Sequence, residues 1–299
     1  MDLNSAGSAK GKGFVFIMIA CFAYGIMPAV TQLSFQAGLS VSTMLIGRLT
    51  VGACLIWATI LIKRLNFRLD KKHLGYLLLI GCAFIVQAVT MSESYRFLPG
   101  AIVSLLMFLY VSVVVVIEVL IGREKFNKTR IICLSSSIVG LVLVIWMPGE
   151  GLTLSSVGVA LALTAAFSYG IFVIGLGEKR TRAIDSEVVV AYTLIPPILF
   201  NLVRGVILGE PLLPQTYEQA MYIFALAFIS LFVGGICFAK AVKYIGASNT
   251  AIFNTMEPVV AYFVGIIVMN DEISINAVIG GVLILGAIIY LNLQGRNKK

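Results

Sequence analysis

Ala20-Cys21-Phe22-Ala23-Tyr24-Gly25-Ile26 recurs 145 positions later as Ala165-Ala166-Phe167-Ser168-Tyr169-Gly170-Ile171, with the same residue at five of the seven positions. Both copies lie inside long apolar runs. The stretch therefore describes a chain that lives in lipid and is built from a duplicated half. The boundary falls near Pro148-Gly149-Glu150-Gly151, which divides the chain into a first unit over 1–148 and a second over 152–299.

Composition agrees. Hydrophobic residues make up 60% of the chain and charged residues 12%, with a mean hydropathy of +1.01. A soluble domain carries about twice that share of charge. A chain of 299 residues this apolar cannot bury its excess in one soluble core. Five cysteines (Cys21, Cys54, Cys82, Cys133 and Cys237) all fall in apolar segments without a CxxC pair. That pattern fits small buried hydrophobes, not a disulfide framework or a zinc site.

Apolar runs near 20 residues predict ten membrane helices. They cover 13–35, 40–62, 74–93, 98–121, 128–147, 154–176, 186–208, 217–239, 246–269 and 273–292. The first run is too long for a cleaved signal peptide and is expected to stay in the mature protein. The breaks are short, so neighbouring helices are antiparallel.

The basic residues orient this bundle. Nineteen of the 22 Lys and Arg residues fall at one set of breaks, around Lys10, Lys63, Arg123, Lys179, Lys240 and Arg296. The other set holds only Arg96 and Arg204, and Arg48 sits inside a span. The net charge of +8 thus follows membrane orientation, not nucleic-acid binding, and both termini are expected in the cytoplasm. Five spans per half is an odd number, so the second half enters from the opposite side and the repeats are inverted. Secondary transporters commonly have this construction, with the substrate site between the halves.

Polar groups at mid-membrane are costly and point to function. Glu257 lies ~16 Å from the start of its helix, about halfway through the hydrocarbon core. Pro258 follows it and frees the Asn254 carbonyl. Pro28 is a second expected helix break. Arg48, ~12 Å in from the outer end of its helix, lies at a similar level. It has three open readings: an ion pair with Glu257, a contact with substrate or a coupling proton, or snorkelling to the surface. Tyr24 and Tyr169 stand out because they occupy matched places. Gln87, Met107 and Tyr110 are further cavity-lining candidates. Glu93, Arg96 and Glu118 lie near span ends, where hydration makes a special role unnecessary.

The missing motifs narrow the function. No Asp lies inside a span, which excludes an intramembrane aspartyl protease. There is no GxSxG, no Walker A loop and no TVGYG-like filter, which disfavours a hydrolase, direct ATP coupling and a potassium channel.

Tyr24-Gly25 and Tyr169-Gly170, Arg48, Tyr244-Ile245-Gly246-Ala247, Met256-Glu257-Pro258 and Asn270-Asp271-Glu272 form an ordered set. The first half answers with Phe97-Leu98-Pro99-Gly100-Ala101 and Gly122-Arg123-Glu124. On these marks the chain resembles the drug/metabolite transporter superfamily, in particular ten-helix transporters of the EamA type. The resemblance covers nearly the whole chain. It departs in two respects: Tyr110-Val111 stands where the second half has Glu257-Pro258, and the seventh helix lacks an Arg matching Arg48.

The resemblance implies an all-α membrane protein of ten helices in two inverted five-helix repeats around a central cavity. It also implies transport of small metabolites such as amino acids, nucleosides or related compounds, often outward. The expected cavity is lined by Tyr24, Gln87, Met107, Tyr110, Tyr169, Asn254 and Glu257. Glu257 would accept a proton or cation, or contact an amino group, and Arg48 would hold it ionised in one state. No cofactor is expected, with coupling to the proton gradient open. Partners are the substrate and membrane lipid, and the sequence leaves monomer or homodimer open. The rival readings are an uncoupled facilitative carrier and a non-transporting membrane scaffold.

Overall fold

The computed structural model describes residues 3–94, 97, 103, 106–123, 128–145, 155–269, 279, 282–283 and 286. Among these residues every regular element is a helix. The first half contributes α1 (Leu3–Gln36), α2 (Val41–Ile62), α3 (Lys71–Ser94), α4 (Leu109–Leu120) and α5 (Lys128–Ile145). The second half begins with α6 (Ser156–Leu176), the short α7 (Lys179–Arg182), α8 (Ser186–Thr193) and α9 (Ile195–Leu208). It continues with α10 (Tyr217–Leu226), a π-helix over Ala227–Gly235, α11 (Ile236–Ile245), α12 (Ala247–Asn254) and α13 (Glu257–Met269).

Six of these stretches are long and apolar enough to cross a membrane: Lys10–Gln36, Val41–Ile62, Lys71–Ser94, Ser156–Leu176, Ser186–Leu208 and Tyr217–Ile245. Their outward faces carry large apolar side chains, with Ile62 82%, Ile207 76% and Leu79 68% exposed. Such faces suit lipid and would be untenable in water as a continuous belt. The chain is a multi-pass membrane protein. The predicted fourth span is described only from Val103 onward in part, and the predicted tenth lies almost wholly outside the described residues.

Local chemistry sets the ends. Ser40, Ser155 and Thr216 cap α2, α6 and α10, each side chain accepting the amide of the residue three positions on. These bonds satisfy donors the first turn leaves orphaned. Gly246 joins α11 to α12 at φ 83°, a conformation that a Cβ would strain.

Four expectations need correction. The predicted eighth span ends at 239, but the helix runs to Ile245 and carries Lys240 and Lys243 within it. The reason is tertiary: the Lys240 ammonium pairs with Glu187 of another helix at 2.8 Å and lies 5.4 Å from the Phe16 ring, so it needs no exit into a loop. The predicted seventh span keeps its bounds, Ser186–Leu208, but consists of two helices, because Pro196 and Pro197 lack the amides that would continue α8. The Thr193 carbonyl faces Gly81 of α3, where a Cβ would approach it to 2.7 Å. Pro28 does not break its helix, since α1 continues through it to Gln36. The fourth correction concerns Glu118, which is 5% exposed, not hydrated.

Helix packing crosses between the halves. α1 packs on the π-helix, α11 and α13; α6 packs on α3 and α4. A Cβ on Gly25 would lie 2.6 Å from Val260 Cβ, and one on Gly170 would lie 2.8 Å from Val113 Cγ1. The two Tyr-Gly steps thus each touch the fourth predicted helix of the other half.

Candidate functional site

The break at Pro258 is realised between α12 and α13. Thr255 N–H donates to Ile252 O and Met256 N–H to Phe253 O, each at 3.2 Å, so α12 tightens into its last turn and stops. Pro258 has no amide for the Asn254 carbonyl. Glu257 therefore opens α13, and Asn254 Nδ2 donates to its Oε2 at 2.9 Å. When ionised, a carboxylate at the new N-terminus complements the helix dipole.

Three helices close around this bond. From α1, Cys21 Sγ lies 3.6 Å from both Phe253 O and Asn254 Oδ1. From α4, Tyr110 is 1% exposed, and its hydroxyl faces Asn254 without a hydrogen-bond partner among the described residues. Tyr110 also meets Tyr169 of α6 edge-on, with centroids 4.8 Å apart. Tyr24 and Tyr169 are linked through Phe238 of α11, at 6.1 and 6.2 Å. The aromatic series continues through Phe172 to Phe84.

Gly234 of the π-helix makes room for Tyr24, since a Cβ there would lie 2.8 Å from the ring. The extra residue of a π-turn re-aims side chains, and such turns gather at functional sites. Arg48 approaches from α2, where its Nη1 lies 3.4 Å from Met27 Sδ on α1, one turn beyond Tyr24. The charges of Arg48 and Glu257 both act on Tyr24 and Tyr169. Tyr24, Arg48, Tyr169 and Glu257 are each partly, not fully, buried within apolar stretches of the chain.

The structure thus brings together Tyr24, Tyr110, Tyr169, Asn254 and Glu257, with Arg48 close by. Gln87 is buried on α3, and its amide donates to Met91 Sδ of the same helix at 3.2 Å. Met107 is 7% exposed and packs into the core. Neither has a described bond to the cluster. Sequence reasoning missed Phe238, which carries no motif, and Cys21. A signal for Cys21 existed: it is one of the two positions where the repeated stretches differ, Ala166 standing opposite.

It also missed Glu118, whose Oε2 accepts the Ser248 amide at 3.2 Å and caps α12 from α4. A cavity of about 340 Å³ lies away from the site, between α2 and α10, and apart from Thr50 its walls are apolar.

A model of the EamA-like transporter family matches residues 11–146 and again residues 156–293. The chain belongs to the EamA-like transporter family. This EamA-like transporter is 24% identical over 289 residues to a protein of Clostridium kluyveri described as an uncharacterized transporter, covering 93% of this chain and 92% of that one. A solved crystal structure described only as that of a protein shares the fold. Its TM-score is 0.77 at 16% identity, over 98% of this chain and 99% of the other. The EamA-like transporter is a membrane transporter by family, and the Clostridium kluyveri protein it resembles is likewise described as a transporter.

Proposed function

We propose that this EamA-like transporter moves small polar metabolites, such as amino acids, nucleosides or related compounds, across the cytoplasmic membrane by alternating access, in the export direction. The two units, 1–148 and 152–299, are inverted five-helix repeats of a ten-helix bundle with both termini in the cytoplasm. The reciprocal packing of Gly25 on Val260 and of Gly170 on Val113 supports that arrangement. Positions 110 and 257 then correspond, each three residues before its valine.

The observation that carries the reading is the half-buried cluster of Tyr24, Arg48, Tyr169 and Glu257 where the two halves meet. A carboxyl group at that depth is costly to bury, which favours a functional role for Glu257. Glu257 accepts the coupling proton or a substrate amino group, and Asn254 orients it. Tyr24, Tyr169 and Phe238 supply faces for the apolar part of the substrate, and a cationic group over such rings gains further. With Tyr110 opposite, only one half carries a charge-dependent step.

The test replaces Glu257 with Gln and follows transport in vesicles across pH. Loss of activity together with a flattened pH profile is expected. An unchanged rate and profile would remove Glu257 from the mechanism. Transport that persists without a proton gradient would make the protein a facilitative carrier.

A further inference from the structure

Two charged networks close the two ends of the bundle. At the end rich in Lys and Arg, the carboxylate of Glu187, in the first turn of α8, is 5% exposed. It receives Lys240 of α11 at 2.8 Å and Lys63, at the C-terminal cap of α2, at 3.2 Å. Lys240 also rests over Phe16 of α1. Lys243 Nζ donates to Ile184 O at 3.0 Å, just before α8. One carboxylate thus ties α2, α8 and α11 together.

At the opposite end, Arg204 near the C-terminus of α9 pairs with Glu93 near the C-terminus of α3. Arg204 Nη1 also reaches Ser42 Oγ, in the first turn of α2, at 3.5 Å. The Ser42 amide in turn donates to Glu210 Oε2 at 3.2 Å. This second network ties α2, α3 and α9.

The two networks occupy matched positions. Ser42 and Glu187 are 145 residues apart, the spacing of Tyr24 and Tyr169. Glu93 and Lys240 are 147 apart, the spacing of Tyr110 and Glu257. Each network joins the start of the second helix of one half to the end of the third helix of that half and to the end of the second helix of the other half. The chemistry is exchanged, carboxylate for ammonium at 93 and 240, but the mechanical role is the same.

We infer that Glu187–Lys240–Lys63 and Arg204–Glu93–Ser42 are a paired set of ionic latches, one per face, and that each opening of the transporter breaks one of them. Removing one partner of a largely buried pair leaves the other charge uncompensated, so the closed state at that end is selectively weakened. α11 connects the first latch to the site directly: Phe238, between Tyr24 and Tyr169, is two residues from Lys240. The π-helix that makes room for Tyr24 leads straight into α11. A substrate that displaces Phe238 therefore pulls on Lys240. The inference rests on alternating access but not on Glu257 as acceptor.

The test uses the full chain in oriented vesicles, with Cys21 replaced by Ala and Cys54, Cys82 and Cys133 by Ser. Cys237 then remains, half-buried beside Phe238, to report access by a membrane-impermeant maleimide added to one face at a time. Glu187→Gln should raise labelling from the Lys240 face by about fivefold or more. Glu93→Gln should raise it from the other face by a similar factor.

The exchange Glu187→Lys with Lys240→Glu should return labelling toward the starting rate. Lys63→Met, which keeps the Glu187–Lys240 contact, should give a smaller rise and serves if Glu187→Gln does not fold. Unchanged labelling, a rise from the same face in both variants, or no recovery in the exchanged pair would each overturn the inference. The assay needs neither substrate nor proton gradient, so its failure is separate from a failure of Glu257 coupling.

Discussion

Gly25 and Val260 meet without room for a single methyl group: a Cβ on the glycine would lie 2.6 Å from the valine Cβ and Cγ1 and 3.0 Å from the Ala261 amide nitrogen. Gly170 and Val113 repeat the contact in the other half, at 2.8 Å from the Val113 Cγ1. The residue before each glycine is a tyrosine of the site. Three residues before each valine stands Glu257 or Tyr110. Close helix approach through small residues is the usual way membrane helices pack, and here it also fixes the two aromatic walls against the charged position.

Gly25→Ala would meet the Val260 Cβ at 2.6 Å and the Ala261 amide nitrogen at 3.0 Å, neither of which a rotamer change relieves, and is expected to cost about 1–3 kcal/mol. Gly170→Ala meets chiefly the Val113 Cγ1 at 2.8 Å, with the Val113 Cβ at 3.2 Å and the nearest backbone atom at 3.6 Å, and should cost less. Thermal unfolding in detergent checks this order, and equal losses would contradict it.

Tyr110→Phe removes a hydroxyl that is buried without a described partner. No bond is lost, so the midpoint of unfolding should hold or rise. The apparent KM for transport should rise roughly fivefold, the worth of about one hydrogen bond. A destabilised variant with an unchanged KM would assign the hydroxyl to the fold instead.

Much of this was legible in the chain. Tyr24 and Tyr169 were visible because duplication left the same word in both halves, and Glu257 because a carboxylate in an apolar run has few innocent explanations. The helix break was visible at Pro258, since a missing amide acts locally. Pro28 misled, because an exposed proline in a helix held on both sides by packing need not end it.

Glu93 and Lys240 were read as ordinary edge charges, and Glu187 drew no reading. Their partners sit on helices far away in sequence, and hydropathy carries no information about which edges touch. Lys240 was placed in a loop for the same reason: its charge is satisfied by Glu187, on another helix. Phe238 joins two tyrosines from different halves, a relation that exists only after folding.

Glu118→Ala should release the N-terminus of α12 by removing the acceptor of the Ser248 amide. A loss of about 1–3 kcal/mol is expected. Hydrogen exchange at Ser248 and its neighbours should accelerate relative to α13. Uniform acceleration across both helices would contradict a local cap.

Glu210 lies in the loop after α9, and its hydrogen bond to Ser42 holds its carboxyl below the ordinary glutamate value. A depressed folded value gives stability that is present above the unfolded pKa, about 4.3. That stability is lost as pH falls through the folded value. Glu210→Gln should therefore lower the unfolding midpoint at pH 7, with the difference from the parent shrinking in acid below about pH 4. A constant difference across that range would remove the carboxylate from the effect.

The account stands most directly on the seam between the halves as a binding site. Purified protein should be screened for thermal stabilisation by amino acids, nucleosides and amines, and each hit repeated on Glu257→Gln and Tyr169→Ala. A compound that stabilises the parent and loses its effect in both variants is the predicted result. Equal stabilisation of all three proteins would place binding elsewhere and contradict the site.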